Sequence, residues 1–137
     1  MRLAKVGVLL SVAILPTQAS GQDLVTMVKG VSIATLDSTM PTVPLESWLR
    51  GLTGRSHPVT WEINDCGEGG DGREAPTCVE AIVALGGDTT AHLSLIVADL
   101  EGIRRAPPAI WDMSVGAGYR FTGFKTLREW AERVKGQ

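Results

Sequence analysis

Apolar and polar residues alternate along four stretches between residues 59 and 115. Alternation with a period of two predicts β-strands that have one apolar and one polar face. Segments rich in glycine, proline or charge separate the stretches, so we expect the strands to form an antiparallel meander. Strands are predicted over residues 59–66, 78–85, 90–99 and 109–115, with apolar positions at Val59, Trp61, Ile63, Val79, Ala81, Val83, Leu85, Ala91, Leu93, Leu95, Val97, Ala109, Trp111, Met113 and Val115.

Two other stretches carry apolar residues at the spacing of an amphipathic helix. Residues 44–52 and 126–135 are predicted as helices, with apolar stripes at Leu45, Trp48, Leu49 and Leu52 and at Leu127, Trp130, Ala131 and Val134. A sheet with one apolar face must be covered, and these helices are the obvious cover. The predicted fold is therefore a two-layer α+β domain, a four-stranded antiparallel meander with one helix before it and one after it.

The first residues have the layout of a secretory signal peptide. Arg2 and Lys5 precede a weakly polar to apolar run over residues 6–15, and Pro16 and small or polar residues follow. A ten-residue helix spans only about half of a ~30 Å hydrocarbon core. We therefore expect residues 1–19 to be removed, with cleavage after Ala19 or Gly21, and the protein to be periplasmic or extracellular without stable membrane insertion.

The remaining chain divides into two parts. Residues 20–43 show a weak helical pattern that Gly30 interrupts, and the segment is rich in β-branched residues. Both features predict a flexible or weakly ordered segment. Residues 44–137 are predicted to form the single α+β domain.

The two cysteines, Cys66 and Cys78, are expected to form a disulfide in an oxidising compartment. A zinc site would need further ligands at suitable spacing, which the chain lacks. If the cysteines lie directly opposite each other, Asn64 faces Glu80 and Glu62 faces Ile82, and the bridge lies on the polar face. After the second strand, only a three-residue turn at residues 86–88 keeps the apolar residues of the next strand on the same side.

Charge excludes two classes of partner. The 137 residues include 13 basic and 15 acidic side chains, and removal of residues 1–19 takes away Arg2 and Lys5, which leaves a formal charge of −4. A mildly acidic chain without a basic run is not expected to bind nucleic acid or to associate with a membrane surface through a polybasic patch.

Candidate catalytic residues lie on the polar face of the predicted sheet. His92 is expected near Glu62 and Glu80, and a histidine beside carboxylates has the groups needed for general base catalysis. The alternative is a solvated or partner-facing surface, because antiparallel sheets commonly leave one face to water.

Two predicted loops carry candidate binding residues. The hairpin loop contributes Asn64, Glu68 and Asp71, and the segment 100–108 contributes the pair Arg104 and Arg105, which suits a carboxylate or phosphate. Oxygen ligands at Asp65, Glu68 and Asp71 suggest calcium as a weaker alternative, although their spacing does not follow the EF-hand pattern. No cofactor is expected, because the chain contains no nucleotide-binding fingerprint.

These observations favour a small exported non-enzymatic module that binds a protein or a small ligand, an enzyme inhibitor being one form of it. The first alternative is a small hydrolase that uses His92 with Glu62 or Glu80. The second is a homodimer in which the polar faces of two sheets pack together through their apolar positions, Ile82, Ala84, Ile96 and Ala98.

Overall fold

The computed structural model describes residues 21–54, 57–67, 75–97 and 108–137. The elements follow one another as α1 (Gly21–Lys29), α2 (Ile33–Leu36), α3 (Leu45–Thr53), β1 (Val59–Asp65), β2 (Thr77–Gly86), β3 (Thr89–Ile96), β4 (Ala109–Ala117), β5 (Arg120–Gly123) and α4 (Leu127–Lys135). The strands form one antiparallel sheet in the order β1-β2-β3-β4-β5. The predicted α+β fold is confirmed, with five strands rather than four.

The additional strand, β5, lies at the edge of the sheet. Gly118, with φ of 60°, turns the chain after β4, and Ala117 then pairs with Arg120. All four residues of β5 are exposed, so the strand has no alternating burial that would mark it. The sequence of residues 119–124 indicates only a brief extended segment and not a fifth strand.

The core lies between the helices and one face of the sheet. The predicted stripe of α4 is buried there through Leu127, Trp130, Ala131 and Val134. The Trp130 indole Nε1–H donates to the Ser114 carbonyl oxygen at 3.1 Å, which ties α4 to β4. A capping box between Thr126 and Glu129 starts this helix.

The structure differs from the sequence prediction in the segment before α3. Its residues from Gly21 onward form α1 and α2, and Val25, Val28 and Ile33 are buried in the core. Packing of these side chains onto the sheet outweighs the unfavourable local propensity, because tertiary contacts supply most of the stability of short helices. No helix within the described ranges has the length and apolar character needed to cross a membrane.

The strand pairs predicted beyond the turn are confirmed, but the turn itself is shorter than predicted: Gly86 pairs with Thr89, which leaves Gly87 and Asp88 between the strands instead of residues 86–88. Val83 pairs with Ala91, Ala81 with Leu93, and Val79 with Leu95. Ahead of the turn the register shifts between Ala84 and Gly86, and Gly86 and Gly87 have φ of 110° and 59°. A glycine bulge therefore keeps the apolar residues of β2 and β3 on the same face of the sheet.

The predicted β1–β2 register is wrong by two residues. Glu62 pairs with Glu80 and Asn64 with Cys78, while the Cys66 N–H donates to the Pro76 carbonyl oxygen. The cysteines are thus diagonal neighbours, with Cα atoms 5.2 Å apart, a separation that a disulfide spans without strain. A slip of two residues keeps every side chain on its own face, so alternation could not distinguish the two registers.

The predicted orientation of Trp111 is also wrong. The β3–β4 register shifts after Ser94, so that Ser94 pairs with Asp112 while Leu95 pairs with Ile110. Trp111 is the extra residue of this bulge and is 51% exposed, whereas Ile110 packs against the core in its place.

Candidate functional site

The face of the sheet opposite the helices, called the open face below, carries the polar side chains of β1 to β4 and one aromatic ring of β5. One row across the strands contains Glu62, Glu80, Ser94 and Asp112. The next row contains Thr60, Ile82, His92, Ser114 and Gly123. Alternation along each strand therefore gathers the candidate residues on one surface.

Glu80 is the centre of a hydrogen-bond network on this face. Its Oε1 accepts from the Asn64 amide at 3.2 Å, and its Oε2 accepts from the Ser94 hydroxyl at 3.0 Å. His92 Nδ1 lies 3.1 Å from the same Oε2. Three donors from β1 and β3 thus hold the carboxylate in one orientation.

His92 connects this carboxylate to a hydroxyl. Because an ionised carboxylate only accepts hydrogen bonds, Nδ1 of His92 is the donor to Glu80. In the neutral ring, Nε2 then accepts from the Thr90 hydroxyl at 2.9 Å. The carboxylate, the imidazole and the hydroxyl are therefore joined in one series of hydrogen bonds, and groups in this order can transfer protons in acid–base catalysis.

A shallow depression lies over this network. Its volume is about 420 Å³, and Glu80, His92, Asp112, Ser114, Phe121 and Gly123 line it. Gly123 contributes no side chain, which leaves space beside the Phe121 ring. The ring itself stands edge-on to His92, with centroids 5.4 Å apart. The depression is open to solvent on its outer side.

Gly116 allows Phe121 to reach this position. A Cβ on Gly116 would overlap the Arg120 carbonyl oxygen and lie 2.6 Å from the Phe121 Cα atom. The missing side chain lets β5 approach β4 closely, so that Phe121 closes one side of the depression.

Two large aromatic side chains of this surface are exposed. Phe121 is 46% exposed, and Trp111, next to Asp112, is 51% exposed. The bulge in β4 turns Trp111 out of the core and toward the disulfide end of the hairpin, where its Cζ2 lies near Gly67. Large exposed rings beside fixed polar groups are typical of binding surfaces.

The open face carries charge of one sign. Glu62, Glu80 and Asp112 are carboxylates of one row, on β1, β2 and β4. In the described strands, no position of this face holds a lysine or an arginine. The open face is therefore acidic, with His92 as its single titratable base in the described strands.

The structure brings together some of the predicted site residues. Glu80 and His92 form the predicted contact, and Asn64 is bonded to Glu80. Glu62 is displaced by the change of register, so that it faces Glu80 instead of Ile82, in the row next to that of His92. Sequence reasoning missed Thr90, Phe121 and the outward Trp111; Thr90 is two residues before His92 on the same strand, which was the available signal.

Several predictions fall on residues outside the described ranges. These are the loop residues Glu68, Asp71, Arg104 and Arg105 and the predicted dimer residue Ala98. Asp65, the remaining residue of the calcium hypothesis, is exposed at the end of β1. Within the described part of the chain, no three histidine, cysteine or acidic side chains are grouped closely enough to hold a metal ion.

Charge opposes the predicted packing of two open faces in a homodimer. Ile82 and Ile96 are half-buried already, and Ala84 adds only a methyl group of exposed surface. Two facing copies would bring the carboxylates of Glu62, Glu80 and Asp112 close to an equal set, and like charges at an interface are repulsive. The same charge favours a partner of opposite sign.

Comparisons with models of protein families, with curated proteins and with solved structures find no match to this chain. The function is therefore inferred from the geometry of the open face.

Proposed function

We propose that this protein is a non-enzymatic exported module that binds a basic segment of a partner polypeptide on its open face. The observation that carries the proposal is the combination of three carboxylates in one row with two exposed aromatic rings, Trp111 and Phe121. A lysine or arginine side chain is attracted by both, through ion pairing and through cation–π contact.

The held carboxylate makes such binding favourable. Asn64, Ser94 and His92 already orient Glu80, so a cation entering the depression finds an acceptor that needs little reorganisation. Asp112 is exposed at the rim of the same depression and supplies the second charge. The side chain of the partner would lie between these carboxylates and the Phe121 ring.

The disulfide and the predicted signal peptide both support an extracellular or periplasmic location for this role. The Cys66–Cys78 disulfide is formed, as expected of a protein folded in an oxidising compartment. The predicted signal peptide of residues 1–19 points the same way.

A pair of peptides tests the proposal. Calorimetric titration with acetyl-Lys-Ala-Lys-Ala-Lys-amide is expected to give saturable binding that weakens as salt is raised, because exposed ion pairs are screened. The glutamate analogue is expected not to bind. Equal binding of the two peptides, or no binding of either, would contradict the proposal.

Variants locate the site on the open face. Asp112→Asn and Trp111→Ala are each expected to weaken binding of the lysine peptide, because the first removes a charge from the rim of the depression and the second removes an exposed ring from the open face. Asp88→Asn is the matched control, since Asp88 lies in the exposed turn between β2 and β3. It removes the same charge outside the open face and should leave the affinity unchanged.

Ester hydrolysis is a second candidate, favoured by the hydrogen-bond order Glu80–His92–Thr90. Its test is hydrolysis of p-nitrophenyl acetate above the buffer rate, abolished by His92→Ala and by Thr90→Val but retained in His57→Ala. A wild-type rate equal to that of buffer would remove this candidate without affecting the binding proposal.

A further inference from the structure

A second cavity lies on the other side of the sheet edge, in a crevice between α3 and β1. Its volume is about 390 Å³, which is within the range of small-molecule sites. The apolar part of the lining is Leu49 from α3, Pro58 before β1, and Val59 and Trp61 from β1. Glu46, Arg50 and His57 supply its charged or titratable side chains.

The crevice is a consequence of how the helices pack. α3 rests against α1 and α4, while α1 covers β1 and β2. The lining places α3 on one side of the crevice and the first residues of β1 on the other. Gly54, with φ of 69°, turns the chain away from the end of α3, and a Cβ there would meet no atom within 4 Å. The space remains open beside the helix end.

Ion pairs and a ring contact hold one end of the crevice. Lys29 of α1 lies 3.6 Å from Glu46 of α3, and its Nζ is 5.7 Å from the centroid of the Trp61 ring. Lys29 thus links three elements around the crevice. Arg50 approaches Glu46 at 4.0 Å and its side chain remains 69% exposed.

The balance of charge at this end is positive. Lys29 and Arg50 share the single carboxylate of Glu46, so one positive charge is left without a full counter-charge among these three groups. Arg50 is the cation of the lining, and its guanidinium suits a carboxylate because the two can form paired hydrogen bonds.

We propose that this crevice is a binding site for a small carboxylic acid with an apolar body. The apolar part lies against Leu49, Val59 and the Trp61 ring, and the carboxylate points to Arg50. The site is independent of the open face and of the partner proposed for it.

Three ligands with one apolar body test the charge preference. 3-Phenylpropionate, 3-phenylpropan-1-ol and 3-phenylpropylamine are titrated into the purified protein while amide and indole signals are followed by NMR. The carboxylate is expected to shift the signals of Arg50, Val59 and Trp61 saturably and to bind more tightly than the alcohol, with the amine weakest. Binding of the alcohol or the amine as tight as that of the carboxylate would overturn the proposal, as would the absence of any saturable shift at these residues.

Two arginine variants test the role of Arg50. Arg50→Gln is expected to raise the Kd for 3-phenylpropionate about tenfold, the effect of losing one charged hydrogen bond. Arg120→Gln makes the same change on β5, at the opposite edge of the sheet, and should leave the Kd as it is. Arg50 is an exposed helix residue, so both variants are expected to fold. An unchanged Kd in Arg50→Gln would overturn the assignment.

Removal of the Glu46 carboxylate, which competes with the ligand for Arg50, should change the affinity in the opposite direction. Glu46→Gln releases Arg50 and Lys29 from their shared partner, so the affinity for 3-phenylpropionate should rise. A fall in affinity would show that Glu46 supports the ligand and would contradict the proposed charge balance.

Discussion

At the scale of single residues, Glu80 determines how the open face is organised. Its side chain is only 19% exposed, yet it carries the charge of the network and three polar groups depend on it. One of these, Ser94, is itself buried, so its hydroxyl has little access to water if Glu80 is lost. A buried polar group without a partner is costly, and this makes Glu80 important for stability as well as for charge.

Replacement of Glu80 is therefore expected to destabilise the fold. Glu80→Ala leaves the Ser94 hydroxyl and the His92 ring without their acceptor, and we expect the free energy of unfolding to fall by about 1–3 kcal/mol. Urea denaturation followed by circular dichroism measures the change.

Glu62→Ala is the matched control on the neighbouring strand. Glu62 is exposed in β1, and removing it should change the free energy of unfolding by less than about 0.5 kcal/mol. Equal effects of the two substitutions would show that the network around Glu80 does not contribute to stability.

At the scale of elements, α1 shows where local sequence patterns fail. Gly30 and the β-branched residues around it argue against order, yet Val28 is completely buried in the core. The sheet supplies the contacts that hold the helix, and these contacts are absent from any local pattern.

Val28→Ala separates a docked helix from a flexible segment. If α1 is packed as in the structure, the lost methyl groups and the cavity should lower the free energy of unfolding by about 1–3 kcal/mol. Thr26→Ala, at an exposed position of the same helix, should have little effect. A value for Val28→Ala no larger than for Thr26→Ala would mean that the segment is not docked.

The disulfide is the second feature that belongs to this scale. It closes a loop with a sequence separation of 12, and both cysteines are buried on the open-face side of the hairpin. On the chain-entropy argument the bridge contributes about 3 kcal/mol. Neither cysteine belongs to the hydrophobic core on the other face.

We therefore expect Cys66→Ala with Cys78→Ala to lower the thermal midpoint and yet leave the sheet folded. Circular dichroism and the chemical-shift dispersion of the amide signals are the measurements. Reduction of the wild-type protein, which leaves both sulfur atoms in place, should give a similar loss of stability. Complete unfolding of either species would show that the core depends on the bridge.

The elements also show which parts of the fold the sequence could predict. The β2–β3 pairs were predicted from the faces of the strands, because a two-residue turn without a bulge would place Ala91 on the polar side; the structure keeps Val83 opposite Ala91 with a two-residue turn and a bulge between Ala84 and Gly86. Parity is blind to a slip of two residues, so the β1–β2 register could not be obtained in the same way. The bulge at Trp111 was likewise invisible, since alternation through residues 109–115 is unbroken in the sequence and only packing against Leu95 selects Ile110.

At the scale of the whole molecule, the fold separates two surfaces. The helices cover one face of the sheet and leave the other to carry three carboxylates and two exposed rings. The contact between Glu80 and His92 could be predicted, because both residues lie on the polar side of adjacent strands. The depression could not, because it depends on the close approach of β5 at Gly116, which brings Phe121 to its side.

Recognition of a basic segment by the open face is the central prediction. The direct measurement is a titration of the ¹⁵N-labelled protein with acetyl-Lys-Ala-Lys-Ala-Lys-amide, followed through its amide signals. We predict that the largest shifts occur at Glu80, His92, Asp112 and Phe121 and that they disappear at high ionic strength. Shifts confined to the helices, or an unchanged spectrum at a high concentration of peptide, would contradict recognition of a basic segment by the open face.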